Sequence, residues 1–546
     1  MTCRWIRAAR VALAIAAAGF LQAQSPCVSC HEEESKKAAA SAHAGVSCAT
    51  CHPKHEAYPH AAGTAKPSCA QCHSSVAAEH AASVHGRALK AGNAGAPACD
   101  TCHGAAHQTV RARSQDFRKG VPETCGMCHD GVVRQFQASV HGKALAQGLP
   151  QAPVCTDCHG EHGIQKPTSR ASLVHPSHIR ETCAACHANV RLSRKFGLPS
   201  DRVVSFDASY HGLASKAGSQ TVANCASCHG FHNILPSSDP KSTIHAKNLP
   251  ATCGKCHPGA GTRLALGPVH LWEGRTEPAS VRMVRQIYMV LIPVLIGLML
   301  LYNAGDWIRK LRRMRLDGYA PAPSSRYADV RMYFFERVLH ALLAVSFLTL
   351  AWTGFQLTYP EEWWARPFLQ WEERWSVRGV VHRGASVVFL LTGVMHVVSL
   401  AASRRLRLHW RNLWPNAGDV TDALRGFAYN LGLSSRRPRL PSYSFVEKAE
   451  YWAVVWGGVV MGATGLLLWA DNLTLKWFSK AALDFAVALH FYEAVLACLA
   501  IVVWHFYVVI FDPYVYPIDT AFLNGYGVRE HEPPLFEEAR AGKASR

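Results

Sequence analysis

The chain has 546 residues, too many for one ordinary domain at roughly 150 residues each, and an apolar share of 49% excludes a disordered protein. The formal net charge of +19 would suit a nucleic-acid partner, but counts of 20 Cys and 30 His argue against that interpretation. Eighteen of the cysteines lie between Cys27 and Cys256, whereas apolar residues concentrate after Tyr288. The two halves of the chain are therefore expected to follow different chemistry.

The first predicted element is a secretory signal peptide at residues 1–23. Three arginines precede the apolar run 11–20, and Ala23 is a small residue suited to cleavage. The run is too short to span a bilayer stably, although an uncleaved anchor helix is the alternative. Export predicts that the next segment, 24–280, lies in the periplasm.

Nine Cys-x-x-Cys-His motifs follow in residues 24–280 and contain all eighteen of its cysteines. This spacing attaches c-type haem, because two thiols bond to the vinyl groups and the adjacent His ligates the iron. A zinc site or a redox dithiol would explain one motif but not nine with no Cys left over. The predicted attachment residues are Cys27, Cys30, Cys48, Cys51, Cys69, Cys72, Cys99, Cys102, Cys125, Cys128, Cys155, Cys158, Cys183, Cys186, Cys225, Cys228, Cys253 and Cys256. The predicted proximal ligands are His31, His52, His73, His103, His129, His159, His187, His229 and His257.

This predicted domain has about 250 residues for nine haems, too few to build a hydrophobic core of its own. The porphyrins are therefore expected to form the core, with the chain around them in short helices and loops. Haem propionates would offset much of the positive charge, so no nucleic-acid partner is needed. The predicted fold class is mostly α, with few regular elements in this haem-packed domain.

Histidines outside the motifs recur at fixed positions and predict bis-His ligation. A two-haem unit occurs three times, with Ser-x-His-Gly fourteen residues before a motif and, in the last two units, Ser-x-x-His eight residues before the next. Phe117 breaks the pattern, so one haem there needs another ligand, such as His80 or His270. Surface histidines are the alternative interpretation. The predicted sixth ligands are His43, His55, His85, His107, His141, His162, His175, His211, His232 and His245.

The second half contains five apolar stretches, each long enough for a transmembrane helix. They lie at about 287–302, 334–357, 379–401, 451–470 and 483–511. Fifteen Lys and Arg in the two predicted inner connections, against five in the outer loops, obey the positive-inside rule. The predicted parts are a first helix at 281–303, a cytoplasmic basic linker at 304–332, a four-helix domain at 333–512 and a cytoplasmic tail at 513–546.

Five histidines fall within these apolar stretches, where ionisable groups are functional by default. His382 and His396 are fourteen residues apart, about 40° around a helix and ~21 Å along it. His490 and His505 share a broad face in the same way, and His340 lies on the second stretch. Two stacked b haems in a four-helix bundle are therefore predicted, against the alternative of packing histidines.

At about 330–512 the sequence resembles the dihaem cytochrome b subunits of membrane-bound nickel–iron hydrogenases and formate dehydrogenases, within the bacterial b561-like group. The residues that carry the resemblance are Glu336-Arg337-x-x-His340, Thr353-Gly354, His382-Arg383 and His505-Phe506-Tyr507. The resemblance implies that His382 and His490 hold an outer haem and that His340 and His505 hold an inner one. His396 departs from the family pattern and could replace His340 by geometry alone.

The fusion of nine c haems to such a domain resembles the inner-membrane quinol–cytochrome c oxidoreductases of metal-respiring bacteria. This resemblance implies electron transfer from menaquinol in the quinone pool to periplasmic c-type cytochromes, with a quinone site near the inner haem. Candidate proton-handling residues at a quinol site are His396 and Glu493. The alternatives are a quinol-fed terminal reductase for nitrite or another small oxyanion, and an electron-transfer subunit in a complex with a hydrogenase or dehydrogenase.

Overall fold

The computed structural model shows a mostly helical chain. No strand occurs among the residues that it describes, where Val330 and Tyr526 form an isolated antiparallel bridge. This confirms the predicted fold class. The predicted signal peptide 1–23 and the predicted ligand His55 lie outside the described residues. The structure describes residues 26–53, 58–60, 67–199, 201–258, 269–270, 277–316, 330–366, 377–436, 438, 441 and 443–526.

The Cys-rich part consists of short helices joined by turns. Its α-helices are α1 (Glu32–Ala40), α2 (Cys48–Cys51), α3 (Ser74–Ala81), α4 (Val84–Lys90), α5 (Cys99–His103), α6 (Gln115–Ala138), α7 (Val140–Ala146), α8 (Cys155–His159), α9 (Ile179–His187), α10 (Val190–Lys195), α11 (Arg202–Asp207), α12 (Tyr210–Lys216), α13 (Cys225–His229) and α14 (Leu249–Gly254). Single 3₁₀ turns lie at Pro26–Ser29, Cys69–Gln71 and Ala106–Gln108.

The chain divides into two compact units, one of residues 1–186 and 224–245 and the other of residues 187–223 and 246–546. The first unit buries little apolar surface of its own. In its described residues the buried apolar side chains are Val121, Pro122, Val133, Ala152, Val154, Ile179, Ala226 and Leu235. So small a core among the described residues is in keeping with the prediction that bound groups complete the core of this domain.

The three Ser-x-His-Gly sequences form the same helix start at α4, α7 and α12. In each, the serine hydroxyl caps the helix by accepting a hydrogen bond from the glycine N–H, at 3.0–3.2 Å. A Cβ on the glycine would lie 2.0–2.1 Å from a carbonyl oxygen of the preceding helix, so only glycine fits there. The histidine between them is therefore held on a rigid corner. These histidines are His85, His141 and His211.

The second unit contains five helices that are long and apolar enough to cross a membrane, as predicted. They are α15 (Ala279–Leu316), α16 (Phe334–Thr358), α17 (Val377–Ala402), α20 (Phe445–Trp469) and a helix at Lys480–Phe511, which comprises α22 (Lys480–Ala500) and the π-helical segments Ile501–His505 and Tyr507–Phe511. The shorter elements are α18 (Arg404–Trp410), a 3₁₀ turn at Arg411–Leu413, α19 (Ala417–Asn430), α21 (Asp471–Trp477) and α23 (Ala521–Asn524).

Helix α15 continues to Leu316, into the range predicted as a basic linker, because Arg, Lys and Leu are good helix formers. It packs along α22 and its π-helical extension, while α16 packs on α17 and α20 packs on α22. Polar contacts join α15 to that helix at successive depths. They are Tyr288 Oη to Glu493 Oε2 (2.6 Å), Asn303 Nδ2 to the Val503 carbonyl (2.6 Å) and Lys310 Nζ to Asp512 Oδ2 (2.6 Å).

A buried charge cluster closes the C-terminal end of α15. Lys310 lies between two carboxylates, 2.8 Å from Asp306 and 2.6 Å from Asp512, and the Tyr507 hydroxyl donates to Asp306 at 2.6 Å. Burial raises the pKa of Asp512 above its usual range, although the neighbouring Lys310 acts in the opposite direction. The lysine therefore neutralises negative charge that the fold has removed from water.

We expect Lys310→Ala to lower the stability of the purified protein by about 3–5 kcal/mol, because it leaves the buried Asp512 and the half-buried Asp306 without a counter-charge. The measurement is thermal unfolding in detergent. Arg312→Ala is the matched control, since Arg312 is exposed on the same turn of α15. Equal unfolding temperatures for the two variants would contradict a stabilising role for Lys310 in this charge cluster.

Candidate functional site

Several Cys-x-x-Cys-His motifs form one-turn helices that begin at the first Cys and end at the His, as in α5, α8 and α13. The i, i+3 spacing places both thiols of a motif on the same side of the turn. A glycine with a φ of about +80° follows each of these three helices and ends it, because it adopts a conformation that other residues disfavour.

In the part of the chain that the structure describes, seven motif histidines are seen to face a second histidine from outside the motifs, with ring centres 5.9–6.3 Å apart. Metal–nitrogen bonds of about 2 Å on both sides of an iron would place two imidazole centres about 6 Å apart. The seven pairs therefore fit bis-His ligation of haem. They are His31 with His60, His73 with His43, His52 with His107, His129 with His85, His103 with His162, His159 with His232 and His257 with His211.

The pairs join motifs that are distant in sequence. His162 follows His159 by three residues, yet it faces His103, while His159 faces His232. His159 and His162 therefore each face a histidine from a different part of the chain. This explains why motif proximity alone did not predict which histidine faces which.

Two further predicted ligands, His175 and His245, lie on equivalent turns of the chain. His175 is buried, lies 2.7 Å from the Ser177 hydroxyl, and its ring centre is 5.9 Å from that of His178. His245 starts the equivalent turn, with its N–H donating to the Ser242 carbonyl as that of His175 does to Ser172. Phe117 stacks on His103 with ring centres 5.2 Å apart.

The electrostatic setting of these rings favours the neutral imidazole that binds a metal. Burial lowers the pKa of His159 and His211, and a neighbouring histidine adds to the effect in each case. Burial also lowers the pKa of His187, assisted by the positive charge of Arg202. His270, one of the two alternative ligands, lies 3.1 Å from the Arg202 carbonyl.

In the bundle, His382 on α17 and His490 on α22 form one level. The Nδ1 of each ring contacts a threonine hydroxyl, that of Thr353 at 2.8 Å for His382 and that of Thr464 at 2.9 Å for His490. With Nδ1 engaged in this way, Nε2 of each ring is left to bind a metal. His382 and His490 thus fit the two axial ligands of a bis-His haem. We call this pair of histidines and their place in the bundle the 382/490 level.

Thr464 was missed at the sequence level, although a repeat marks it. Thr353-Gly354 on α16 contacts His382, and Thr464-Gly465 on α20 contacts His490 in the same way. A Cβ at Gly465 would lie 3.4 Å from the His490 ring, so the small residue gives the imidazole room. In both helix pairs, α16 with α17 and α20 with α22, a Thr-Gly sequence on the first helix therefore contacts a histidine on the second.

His340 on α16 and His505 form a second level, the 340/505 level, with ring centres 6.4 Å apart. His505 ends the first π-helical segment, and a π-bulge adds one residue to a helical turn. With this extra residue, the fifteen residues from His490 to His505 cover about the same length of helix as the fourteen residues from His382 to His396. The Nδ1 of His505 lies 3.4 Å from a carboxylate oxygen of Glu450 on α20.

His396 has a different environment from His340. Its Nε2 lies 3.1 Å from the Tyr451 hydroxyl, and its ring makes a T-shaped contact with the Trp410 ring, with ring centres 4.9 Å apart. Trp410 also donates a hydrogen bond to Glu336, one turn before His340, which places His396 beside the 340/505 level. The structure thus brings His340, rather than His396, to face His505.

Glu493, the other candidate proton-handling residue, lies elsewhere in the second unit. It is 8% exposed and accepts a hydrogen bond of 2.6 Å from Tyr288. Tyr288 belongs to α15 and stacks on Tyr492 at 5.8 Å. Glu493 follows His490 by one turn, so this carboxylate lies near the 382/490 level and not beside His396.

One haem-motif histidine lies against the bundle within the second unit. The Nδ1 of His257 is 3.4 Å from Asp471, which begins α21 directly after α20 ends. Glu361, just beyond the end of α16, lies 3.4 Å from Lys216 on α12, the helix that carries His211. Both contacts occur at the end of the bundle where the 382/490 level lies.

The sequence was compared with protein families, curated proteins and solved structures. Searches of curated proteins and of solved structures found no match to the chain. Residues 331–520 match the family described as prokaryotic cytochrome b561, a family that binds haem b, and this match supports a membrane cytochrome b role in electron transfer for this part of the chain.

Proposed function

We propose that this protein transfers electrons from a quinol, through two b haems and nine c haems, to c-type cytochromes in the periplasm. The observation that supports this most strongly is the set of histidine pairs about 6 Å apart, which occurs at seven motifs and again in the bundle. Haem, when bound, supplies an iron that takes up and passes on one electron. Two axial imidazoles suit electron transfer rather than substrate binding, because they leave no open position.

Within the b domain, we propose that His382 and His490 hold one b haem and that His340 and His505 hold the other. The contact between His396 and Tyr451 supports this choice, because it engages the Nε2 that a haem ligand would need. Thr353 and Thr464 orient the rings at the 382/490 level through Nδ1. The chain therefore provides four histidine ligands in this proposal, two of which are oriented by threonine hydroxyls.

A quinol site beside the 340/505 level is supported by the cluster around His396. His396 and Tyr451 offer a hydrogen-bonding pair, and the Trp410 ring provides an apolar wall. His396 can take a proton from a quinol hydroxyl, and Glu493 with Tyr288 can hold one near the other level. In this proposal quinol is oxidised near the cytoplasmic side, because the positive-inside rule places the basic connections there.

The exit from the bundle is proposed to be the haem held by His211 and His257. The 3.4 Å approach of His257 to Asp471 supports this, since it brings that motif to the 382/490 end of the bundle. The remaining motifs would carry electrons onward to a periplasmic cytochrome. A complex with other respiratory subunits is compatible with this arrangement but is not required for it.

A haem count on the purified protein tests the proposal. We expect a pyridine haemochrome assay to give covalent c haem and extractable b haem in a ratio of nine to two, because the chain offers nine motifs and two histidine pairs in the bundle. Absence of b haem would remove the bundle assignment. A high-spin c haem in the same sample would instead favour the terminal reductase.

A further inference from the structure

The two histidine levels of the bundle differ in what their rings contact through Nδ1. At the 382/490 level both partners are threonine hydroxyls. At the 340/505 level the partner of His505 is the carboxylate of Glu450. A hydrogen-bonded carboxylate raises the basicity of a ligating imidazole more than a neutral acceptor does, so this difference acts on the bound iron.

The threonines are neutral acceptors in this arrangement. The Thr353 hydroxyl donates to the Thr349 carbonyl at 2.7 Å, and the Thr464 hydroxyl donates to the Val460 carbonyl at 2.7 Å. Since each hydroxyl hydrogen is used within its own helix, the oxygen can only accept from the imidazole N–H. The threonines therefore fix the orientation of the two rings without adding charge.

The carboxylate of Glu450 has few polar contacts other than the one with His505. Its Oε2 lies 3.4 Å from His505 Nδ1, and its Oε1 is buried without a hydrogen-bond partner among the described residues. The side chain as a whole is 24% exposed. A carboxylate in this position therefore acts mainly on the His505 imidazole, and through it on an iron that His505 ligates.

We infer that Glu450 is a positioning residue that, through His505, keeps the iron at the 340/505 level at a lower midpoint potential than the iron at the 382/490 level. The negative charge and the more basic imidazole both stabilise the oxidised iron, which is the more positive form. With both haems bound, this difference would favour the transfer of one electron from the iron held by His340 and His505, which would be oxidised, to the iron held by His382 and His490, which would be reduced. This inference rests on the proposed ligation by His340 and His505, and it assigns a direction to the bundle.

The test is a potentiometric titration of the two b haems with redox mediators, in the intact protein. We expect Glu450→Gln to raise the midpoint potential of one b haem only. At a fixed potential the ratio of reduced to oxidised iron at that haem should rise about tenfold, equivalent to about 59 mV for one electron. Glu450→Asp keeps the charge and should stay close to the wild type.

Glu447→Gln is the matched control, because it removes a carboxylate from the preceding turn of α20. Glu447 accepts hydrogen bonds from Ser444 at the helix start, and no contact with His505 is involved. Equal shifts in both variants, or no shift in Glu450→Gln, would overturn the inference. Loss of a b haem from Glu450→Gln alone would also overturn it, since Glu450 would then retain the haem rather than set its potential.

The readout separates this inference from the proposed function. Mediators reduce the haems without any quinol, so the potentials can be measured even in a protein that quinol fails to reduce. A failed quinol reaction in the wild type with a shifted potential in Glu450→Gln would reject the proposed function and keep the inference. The reverse pair of results would reject only the inference.

Discussion

His382→Ala should leave a protein with one b haem in place of two. His490 would then face no second imidazole, and a single ligand holds iron far less tightly than a pair. Because the 382/490 level lies between the proposed quinol site and the proposed exit at His257, quinol should reduce the remaining b haem while the nine c haems stay oxidised. We expect c-haem reduction to slow by about 100-fold or more, or about 2.7 kcal/mol in barrier. Rapid mixing with a quinol analogue, followed at the b and c absorption bands, is the measurement.

Two companion variants make the result specific. His340→Ala should remove the other b haem, whereas His396→Ala should keep both, because His396 contacts Tyr451 instead of facing His505. If His396→Ala lost a b haem and His340→Ala kept both, the ligand assignment at this level would be reversed. Normal c-haem reduction in His382→Ala would show that electrons bypass the 382/490 level.

His211→Ala should open one c haem and impede the exit from the bundle. His211 faces His257 at 6.2 Å, so its loss leaves an iron with one axial ligand and an empty sixth position. We expect one high-spin c haem and binding of one carbon monoxide per protein. Reduction of the other c haems by quinol should slow by about tenfold or more.

His162→Ala is the matched comparison, since His162 faces His103 at 5.9 Å in the same manner. It should also open one c haem, yet quinol should still reduce most of the others at the wild-type rate. Equal slowing in both variants would place the exit elsewhere. Absence of a high-spin signal from His211→Ala would remove His211 from the ligand set.

The general architecture could be predicted because its signals lie in short stretches of sequence. Nine Cys-x-x-Cys-His motifs and five apolar stretches are visible without any long-range contact, and the five predicted spans are confirmed. The helix ends were less predictable. Helix α15 runs to Leu316 because its basic residues favour helix, and the π-helical segment before His505 leaves no local mark in the sequence.

The site was predictable only at the level of residue type. Which histidine faces which depends on contacts between distant segments, as the His103–His162 pair shows. The neighbours of the bundle histidines were missed for the same reason. Thr464 could have been found from its repeat of Thr353-Gly354, but Glu450 and Tyr451 lie one residue apart and contact different histidines, which only the packing of the helices reveals.

The most direct test of the account follows the order in which quinol reduces the haems of the wild-type protein. A quinol analogue is mixed with the fully oxidised protein, and the b and c bands are recorded on the millisecond scale, with and without a quinone-site inhibitor. The account predicts that b haem is reduced first, that c haem follows as b haem is reoxidised, and that the inhibitor abolishes both signals. Reduction of c haem with no preceding b signal, or of b haem with no c haem after it, would contradict transfer from quinol through the bundle to the nine motifs.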